Sequence, residues 1–236
     1  PFKDRLSAPS EVAGGRSAAE FVTALDSGSL ERGADTRRHL NDLYDARLVR
    51  VVELINSFFF FYKNNFGGAK FWDESVIALA GSSGCDFGEG GANIGDSDSL
   101  REAGLRVPLF LSHPSSMTGE RILGEVVELA DLAPTLREWF GLEQAGAKGN
   151  RSLLALTDSK VRHGFSEHAA LSLSGGGAFS LRNARYRLTV MGGERKLFDL
   201  HSDPTEGTNV AGLHPDVVAE IIAGERARIK RLGLSF

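Results

Sequence analysis

The run from Ser75 through Val76, Ile77, Ala78, Leu79 and Ala80 is apolar and unbroken, and it opens directly into a loop holding Gly81, Gly84, Gly88, Gly90, Gly91 and Gly95. A short continuous apolar run bounded by turns is what a strand covered on both faces looks like. In open α/β sheets, ligands bind just beyond the C-terminal ends of the strands, so the glycine loop is the first place to look for a site. The loop also concentrates a general excess: 28 of the 236 residues are glycine, well above the usual ~7%.

The rest of the chain supports an α/β reading. Between Thr36 and Phe59, Leu40, Leu43, Tyr44, Leu48, Val51, Val52, Leu54 and Ile55 recur at three- and four-residue steps, which predicts a helix, and Asn64-Asn65-Phe66-Gly67-Gly68 ends it. Val107–Leu111, stopped by His113-Pro114, predicts a second buried strand. Glu125–Leu129 predicts a short third one. Asp131 is placed to cap a helix running through Leu132, Leu136, Trp139 and Phe140 and ended by Gly141. From Ala178 the rhythm becomes that of a small antiparallel hairpin or meander, with Met191-Gly192-Gly193 as a turn. Pro215–Leu232 predicts a terminal amphipathic helix with Pro215 in its first turn. The expected organisation is an irregular segment over 1–35 with a short helix near Ala18–Leu25, an α/β core over 36–157, and a small α+β unit over 158–236.

Bulk properties narrow the function. Lys and Arg number 27 against 31 Asp and Glu, a net charge of −4, which excludes a nucleic-acid-binding surface or a basic membrane anchor. Cys85 is the single cysteine, so no internal disulfide can form. No apolar run approaches the ~20 residues of a membrane helix, and no signal peptide is visible, so a soluble chain of open localisation is expected. The start at Pro1-Phe2-Lys3-Asp4 reads as that of a fragment or a processed chain.

Several segments, in order, resemble the C-terminal half of the sulfatase family of the alkaline phosphatase superfamily. Leu43-Tyr44-Asp45-Ala46-Arg47 resembles that family's helix before its metal-binding strand, and Phe71-Trp72-Asp73-Glu74-Ser75-Val76-Ile77 resembles the entry into the strand. Arg101-Glu102-Ala103-Gly104-Leu105-Arg106-Val107-Pro108-Leu109 is similar to a family signature, as are Asp131-Leu132-Ala133-Pro134-Thr135-Leu136, Arg151-Ser152-Leu153-Leu154, and Leu197-Phe198-Asp199-Leu200 followed by Asp203-Pro204, Glu206 and Asn209. The resemblance, over residues 36 to 225, implies a mixed sheet flanked by helices and then a small antiparallel sheet packed with a terminal helix. It also implies a calcium-like ion and a formylglycine nucleophile made from Cys or Ser in a Cys/Ser-x-Pro/Ala-x-Arg motif.

The sequence departs from that pattern where the chemistry lies. It has no nucleophile motif; Cys85 stands in Gly84-Cys85-Asp86-Phe87-Gly88 and reads as a loop thiol. The positions matching the family's Asp and His/Asn metal ligands hold Ser82 and Ser83, followed by the retained Gly84. Hydroxyls are poor substitutes for carboxylates at a hard cation. Where the family carries a Lys or His facing the substrate anion, the nearby residues are Asp96, Ser97 and Asp98, and no Lys or His occurs between Lys70 and His113. A carboxylate there repels an anion.

Two alternatives compete with an empty site. Asp86, Glu89, Asp96 and Asp98 could form a cation loop of their own, against the reading as a solvated acidic loop. Ser166-Glu167-His168, His201 and His214 could supply bases, although lone loop histidines seldom do. Asp131 and Thr135 suit helix capping, Asp203-Pro204 a turn, and Asp199 and Asn209 the support of the late hairpin. The expectation is a sulfatase-like chain that is inactive by itself and acts as a structural or binding subunit. The alternative is part of an active sulfuric- or phosphoric-ester hydrolase whose nucleophile lies on another segment. Its partner would be an N-terminal sulfatase-like half or another protein chain. Phe58–Phe61 would meet such a partner or, as a separate reading, form an interaction patch.

Overall fold

The computed structural model of the chain describes residues 17–31, 33–87, 99–114, 122–142, 151–157 and 168–234. The chain divides into two compact units. The first ends at Ile77 and resumes at Cys85; the second takes Ala78–Gly84 and the later elements.

In the first unit, helix α1 (Ala18–Asp26) starts at a capping box. Glu20 N–H donates to Ser17 Oγ at 3.4 Å, and Ser17 N–H donates to Glu20 Oε2 at 2.8 Å. Its Phe21 and Leu25 bury against Leu40 of α2 (Ala34–Tyr62), with Leu30 and Phe87 alongside. Those contacts hold only the N-terminal end of α2, whose buried residues are Thr36 and Leu40. The stripe that predicted the helix stands on solvent further on, at Leu48, Val51, Val52 and Leu54. Phe58, Phe60, Phe61 and Tyr62 are exposed too, and Phe59 leans on Trp72 at 5.4 Å. A π-helical turn (Lys63–Gly67), a 3-10 turn (Gly68–Lys70) and the short α3 (Phe71–Glu74) follow.

In the second unit, β1 (Ile77–Ala80) pairs with β2 (Leu109–Ser112) in a two-stranded sheet, and Gly81 N–H donates to Pro108 O at 2.9 Å just past it. The expectation of strands covered on both faces is not met among the described residues. Burial alternates along both strands, and Ala78, Ala80 and Phe110 are exposed. Leu109 and Leu111 pack with Leu153 and Leu156, so a layer lies on one side only.

The strand expected at Glu125–Leu129 is corrected. Asp131 N–H bonds Glu128 O, and Glu128 N–H bonds Asp131 Oδ2, both at 3.0 Å, which folds Leu129–Asp131 into a 3-10 turn instead. Helix α5 (Leu132–Trp139) follows, and Gly141 at φ +62° closes it. Ahead of β2 lies a one-turn helix, α4 (Glu102–Leu105), and Leu153–Thr157 is a 3-10 turn.

Strands β3 (Ala170–Leu173), β4 (Phe179–Arg182), β5 (Tyr186–Met191) and β6 (Glu194–Asp199) form an antiparallel meander in the order 3-4-5-6. Gly192 at φ +57° and Gly193 at φ +83° make the tight β5–β6 turn, a backbone that L side chains resist. Phe179, Leu181, Leu188, Val190 and Leu197 pack with Val218, Ile221, Ile222 and Ile229 of α6 (Pro215–Arg231) in the largest core among the described residues.

Candidate functional site

The loop after β1 is built around one close approach. Gly84 N–H donates to Gly104 O at 2.8 Å, and a Cβ at Gly84 would lie 2.0 Å from Ala103 O. This glycine is required by contact with α4 rather than by its backbone angle. Ser82 and Ser83, just before it, are exposed. Two neutral hydroxyls on solvent do not fit a hard divalent cation, which needs oxygen ligands with negative charge.

In the other unit, Cys85 is half-buried beside the fully buried Asp86, and Phe87 packs edge-on to Tyr44 at 5.3 Å. Burial, reinforced by the Asp86 charge, pushes the Cys85 thiol up, away from the reactive thiolate. Of the four acids of the candidate cation loop, Asp86 alone is described; Glu89, Asp96 and Asp98 lie outside the described residues, as do Ser97, Ser166 and Glu167. Among the described residues no group of three or more His, Cys, Asp or Glu is placed to hold a metal.

The signature segment beginning at Arg101 is tied down by charges that sequence reading missed. Glu102 of α4 accepts from Arg187 Nη2 and, at 3.3 Å, from Arg182 Nε. Arg187, 3% exposed, also donates to Ser180 Oγ at 2.9 Å and stands 2.8 Å from Glu206 Oε1, off the line of an aligned hydrogen bond. Glu206 Oε2 in turn accepts the Glu102 backbone N–H at 2.9 Å, and Arg101 Nη2 donates to Thr205 O at 2.5 Å. Glu206 takes φ +53°, rare for a side-chain-bearing residue, so the loop is bent to bring its carboxylate inward. The sequence signal was the quoted Arg101-Glu102 pair and Glu206; their mutual contact spans 104 positions and leaves no local pattern.

The buried Glu206 and the half-buried Glu102 are shifted in opposite directions. Burial raises Glu206 above its ordinary value, and the Glu102 charge adds to this against the pull of Arg187 and Arg101. Burial also pushes Glu102 up, but Arg187 and Arg182 together outweigh it and hold Glu102 below the ordinary range. A carboxylate raised in the folded state gives stability that is lost as pH climbs from its unfolded value, about 4.3, through its raised one. The lowered Glu102 gives stability that is present above its unfolded value and lost as pH falls through its lowered one. Thermal unfolding from pH 3 to pH 7 should therefore show Glu206→Gln removing part of the decline on the side above the ordinary carboxylate value. An unchanged slope there would contradict the assignment.

A second set of polar ties joins the other signatures. Asp131 stands at the head of α5, but its side chain does not cap that helix. Oδ2 accepts from Glu128 N–H and Oδ1 from Arg151 N–H, each at 3.0 Å. Thr135 Oγ1 donates to Asp131 O at 2.6 Å and accepts from Leu153 N–H at 2.8 Å. The capping expected of both residues is thus replaced by ties to the Arg151–Leu153 segment. Glu128 receives both Nη groups of Arg228, at 2.6 and 2.5 Å, and holds that guanidinium above its ordinary value. Glu128, Asp131, Arg151 and His168 line a small cleft, and His168 Nδ1 lies 3.8 Å from Glu225 Oε1.

The late loop behaves as expected. Asp203 accepts Thr208 N–H at 2.8 Å in the turn at Pro204, and Asn209 Oδ1 accepts Leu197 N–H at 3.0 Å. Asp199 binds Arg185, which holds its carboxyl well below the usual range. His201 follows β6 on the surface, and His214 precedes α6.

The chain is 30% identical over 138 residues to arylsulfatase K of Xenopus laevis, covering 52% of this chain and 26% of that protein. It is 26% identical over 136 residues to an uncharacterized sulfatase of Schizosaccharomyces pombe, covering 52% and 24%. Over about half its length the chain is homologous to the sulfatases. No protein-family model matches it. The sulfatase-like fold is shared with the phosphonate monoester hydrolase of Agrobacterium radiobacter, at TM-score 0.68 and 20% identity over 86% of this chain and 43% of that one. It is shared also with BT4656, solved in complex with its substrate D-glucosamine-2-N,6-O-disulfate, at TM-score 0.63 and 19% identity over 90% and 45%. The sulfatase-like chain spans about a quarter of the length of its curated relatives and under half of these two structures. Among the described residues no helix is long and apolar enough to cross a membrane.

Proposed function

We propose that this sulfatase-like chain is a structural or binding subunit that does not hydrolyse esters by itself. The observation carrying this reading is the pair of exposed hydroxyls, Ser82 and Ser83, in the loop after β1, at the positions where the family resemblance expects a carboxylate and a His or Asn. The loop's frame is kept, with Gly84 seated on α4 and Glu102 held by buried arginines. A scaffold maintained around neutral side chains fits a fold that serves without metal chemistry.

The test is a calorimetric calcium titration together with turnover of 4-nitrophenyl sulfate and 4-nitrophenyl phosphate. The expected outcome is no micromolar calcium affinity and no turnover. Micromolar calcium affinity that disappears in Ser82→Ala/Ser83→Ala would overturn the reading.

A second reading has an observation of its own: the curated relatives are about four times as long as the stretch this chain spans of them. On that reading the chain is part of an active sulfuric- or phosphoric-ester hydrolase whose nucleophile and further ligands lie on another segment. The intact mass and sequence of the native material decide it. A Cys/Ser-x-Pro/Ala-x-Arg motif converted to formylglycine in the same polypeptide or complex favours the hydrolase, and its absence favours the subunit.

A further inference from the structure

Strand β3 is an outer strand of the meander, and among the described residues β4 alone pairs with it. Its Ala-Leu-Ser-Leu holds no charge and no proline, the usual protections of an outer strand. The other outer strand, β6, carries Glu194, Arg195 and Lys196, and its Leu197 is covered: Leu197 N–H donates to Asn209 Oδ1 at 3.0 Å, and Leu197 O accepts from Val210 N–H at 2.8 Å. At the β3–β4 hairpin Ser174 N–H donates to Ala178 O at 2.9 Å, so even-numbered amides point to β4 and odd-numbered ones point outward. Two of the outward amides are taken by carboxylates from distant elements. Leu171 N–H donates to Glu128 Oε1 at 2.8 Å, and Ala169 N–H donates to Glu225 Oε1 of α6 at 3.3 Å. Arg228 fixes both acids, with its Nη groups 2.6 and 2.5 Å from Glu128 and Nη1 3.8 Å from Glu225 Oε2. The three side chains are largely out of water, at 13% exposure for Glu128, 5% for Glu225 and 15% for Arg228.

We infer that Glu128 and Glu225, fixed by Arg228, occupy the outer edge of β3 and keep it from pairing with the β3 of a second copy of the chain. A neighbouring strand brings both N–H and C=O groups. An ionised carboxylate accepts hydrogen bonds and donates none, so it satisfies the edge amides without offering a ladder to extend. A second strand could pair there only by displacing a charge already held by Arg228. The inference does not depend on whether the chain hydrolyses esters.

The test is amide hydrogen exchange on the 236-residue chain over a range of protein concentrations, read at Leu171 with β5 as reference. In the unmodified chain Leu171 should exchange slowly, at a rate independent of concentration. In dilute Glu128→Ala it should exchange about 10–100-fold faster, the worth of a hydrogen bond to a charged group, with β5 unchanged. Concentrated Glu128→Ala should recover the protection as two β3 strands pair. Glu128→Gln, which keeps an acceptor, should stay near the unmodified chain. Leu173, 52% exposed at the end of β3, gives the block: Leu173→Lys added to Glu128→Ala should prevent the recovery by placing a charge at the new seam. Fast exchange in Glu128→Ala at every concentration overturns the inference, since the acid then only satisfies an amide. So does a Leu171 rate that Glu128→Ala leaves unchanged. If Glu128→Ala also loosens β5, Glu128→Ala/Arg228→Met removes the orphaned cation and is judged by the same two outcomes.

Discussion

Arg187→Ala is expected to destabilise the unit holding the β3–β6 meander by about 3–5 kcal/mol, the cost of leaving buried charge without its partner. Arg187 is 3% exposed and stands between two carboxylates, Glu102 and Glu206, that are themselves 16% and 2% exposed. Removing the cation leaves two like charges facing each other in a poorly solvated space. Arg182 and Arg101 lie on the outer side of the group and compensate only part of that charge. Denaturant unfolding monitored on the meander checks the size of the effect. A further comparison separates charge from packing. Arg187→Met combined with Glu102→Gln and Glu206→Gln should be more stable than Arg187→Met alone, because the neutral set no longer contains an orphaned ion. If the triple variant is no better than the single one, the loss is one of shape.

Gly84→Ala should produce the next largest loss, about 1–3 kcal/mol, in the range of overpacked sites. The added methyl would fall 2.0 Å from Ala103 O and 3.0 Å from both Ala103 C and Gly104 C. These are backbone atoms, so no side-chain rotation relieves the clash. The loop must lift, which breaks the 2.8 Å bond from Gly84 N–H to Gly104 O. At about 2–4 °C per kcal/mol for a chain of this size, the melting temperature should fall by several degrees. Gly28→Ala makes an informative contrast, because nothing lies within 4 Å of its Cβ position and its cost comes from φ +73° alone. Equal losses at the two positions would show that the contact with α4 contributes nothing.

What the sequence revealed and what it hid follow from the range of the interactions. Helix α2 and helix α6 were legible because their apolar residues recur within one or two turns. The β5–β6 turn was legible because Gly192-Gly193 accepts the positive φ that a two-residue hairpin turn demands and other residues resist. Strand β3 was not, since Ala-Leu-Ser-Leu is short and its pairing with Phe179–Arg182 becomes visible only once the meander is formed. Glu125–Leu129 read as a strand because its apolar residues are contiguous; the reciprocal bonds between Glu128 and Asp131 override that tendency. Ser82 and Ser83 were found through a family resemblance, and the structure adds their exposure. The Glu102–Arg187–Glu206 group escaped because each member looks like an ordinary surface charge in its own segment, and only the fold buries it.

That group also sets a schedule for the chain as it is synthesised. The β3–β6 strands pair only with their neighbours in sequence, so the meander can assemble from local contacts. Glu102 waits for Arg187, 85 positions later, and for Glu206, 104 positions after itself. Until that stretch has left the ribosome, the turn at Glu102–Leu105 lacks the side-chain ties from Arg187 and Glu206. Contacts this distant close late because the intervening chain must first give up its freedom. In the interval before closure, apolar surface that the finished fold buries is open to aggregation.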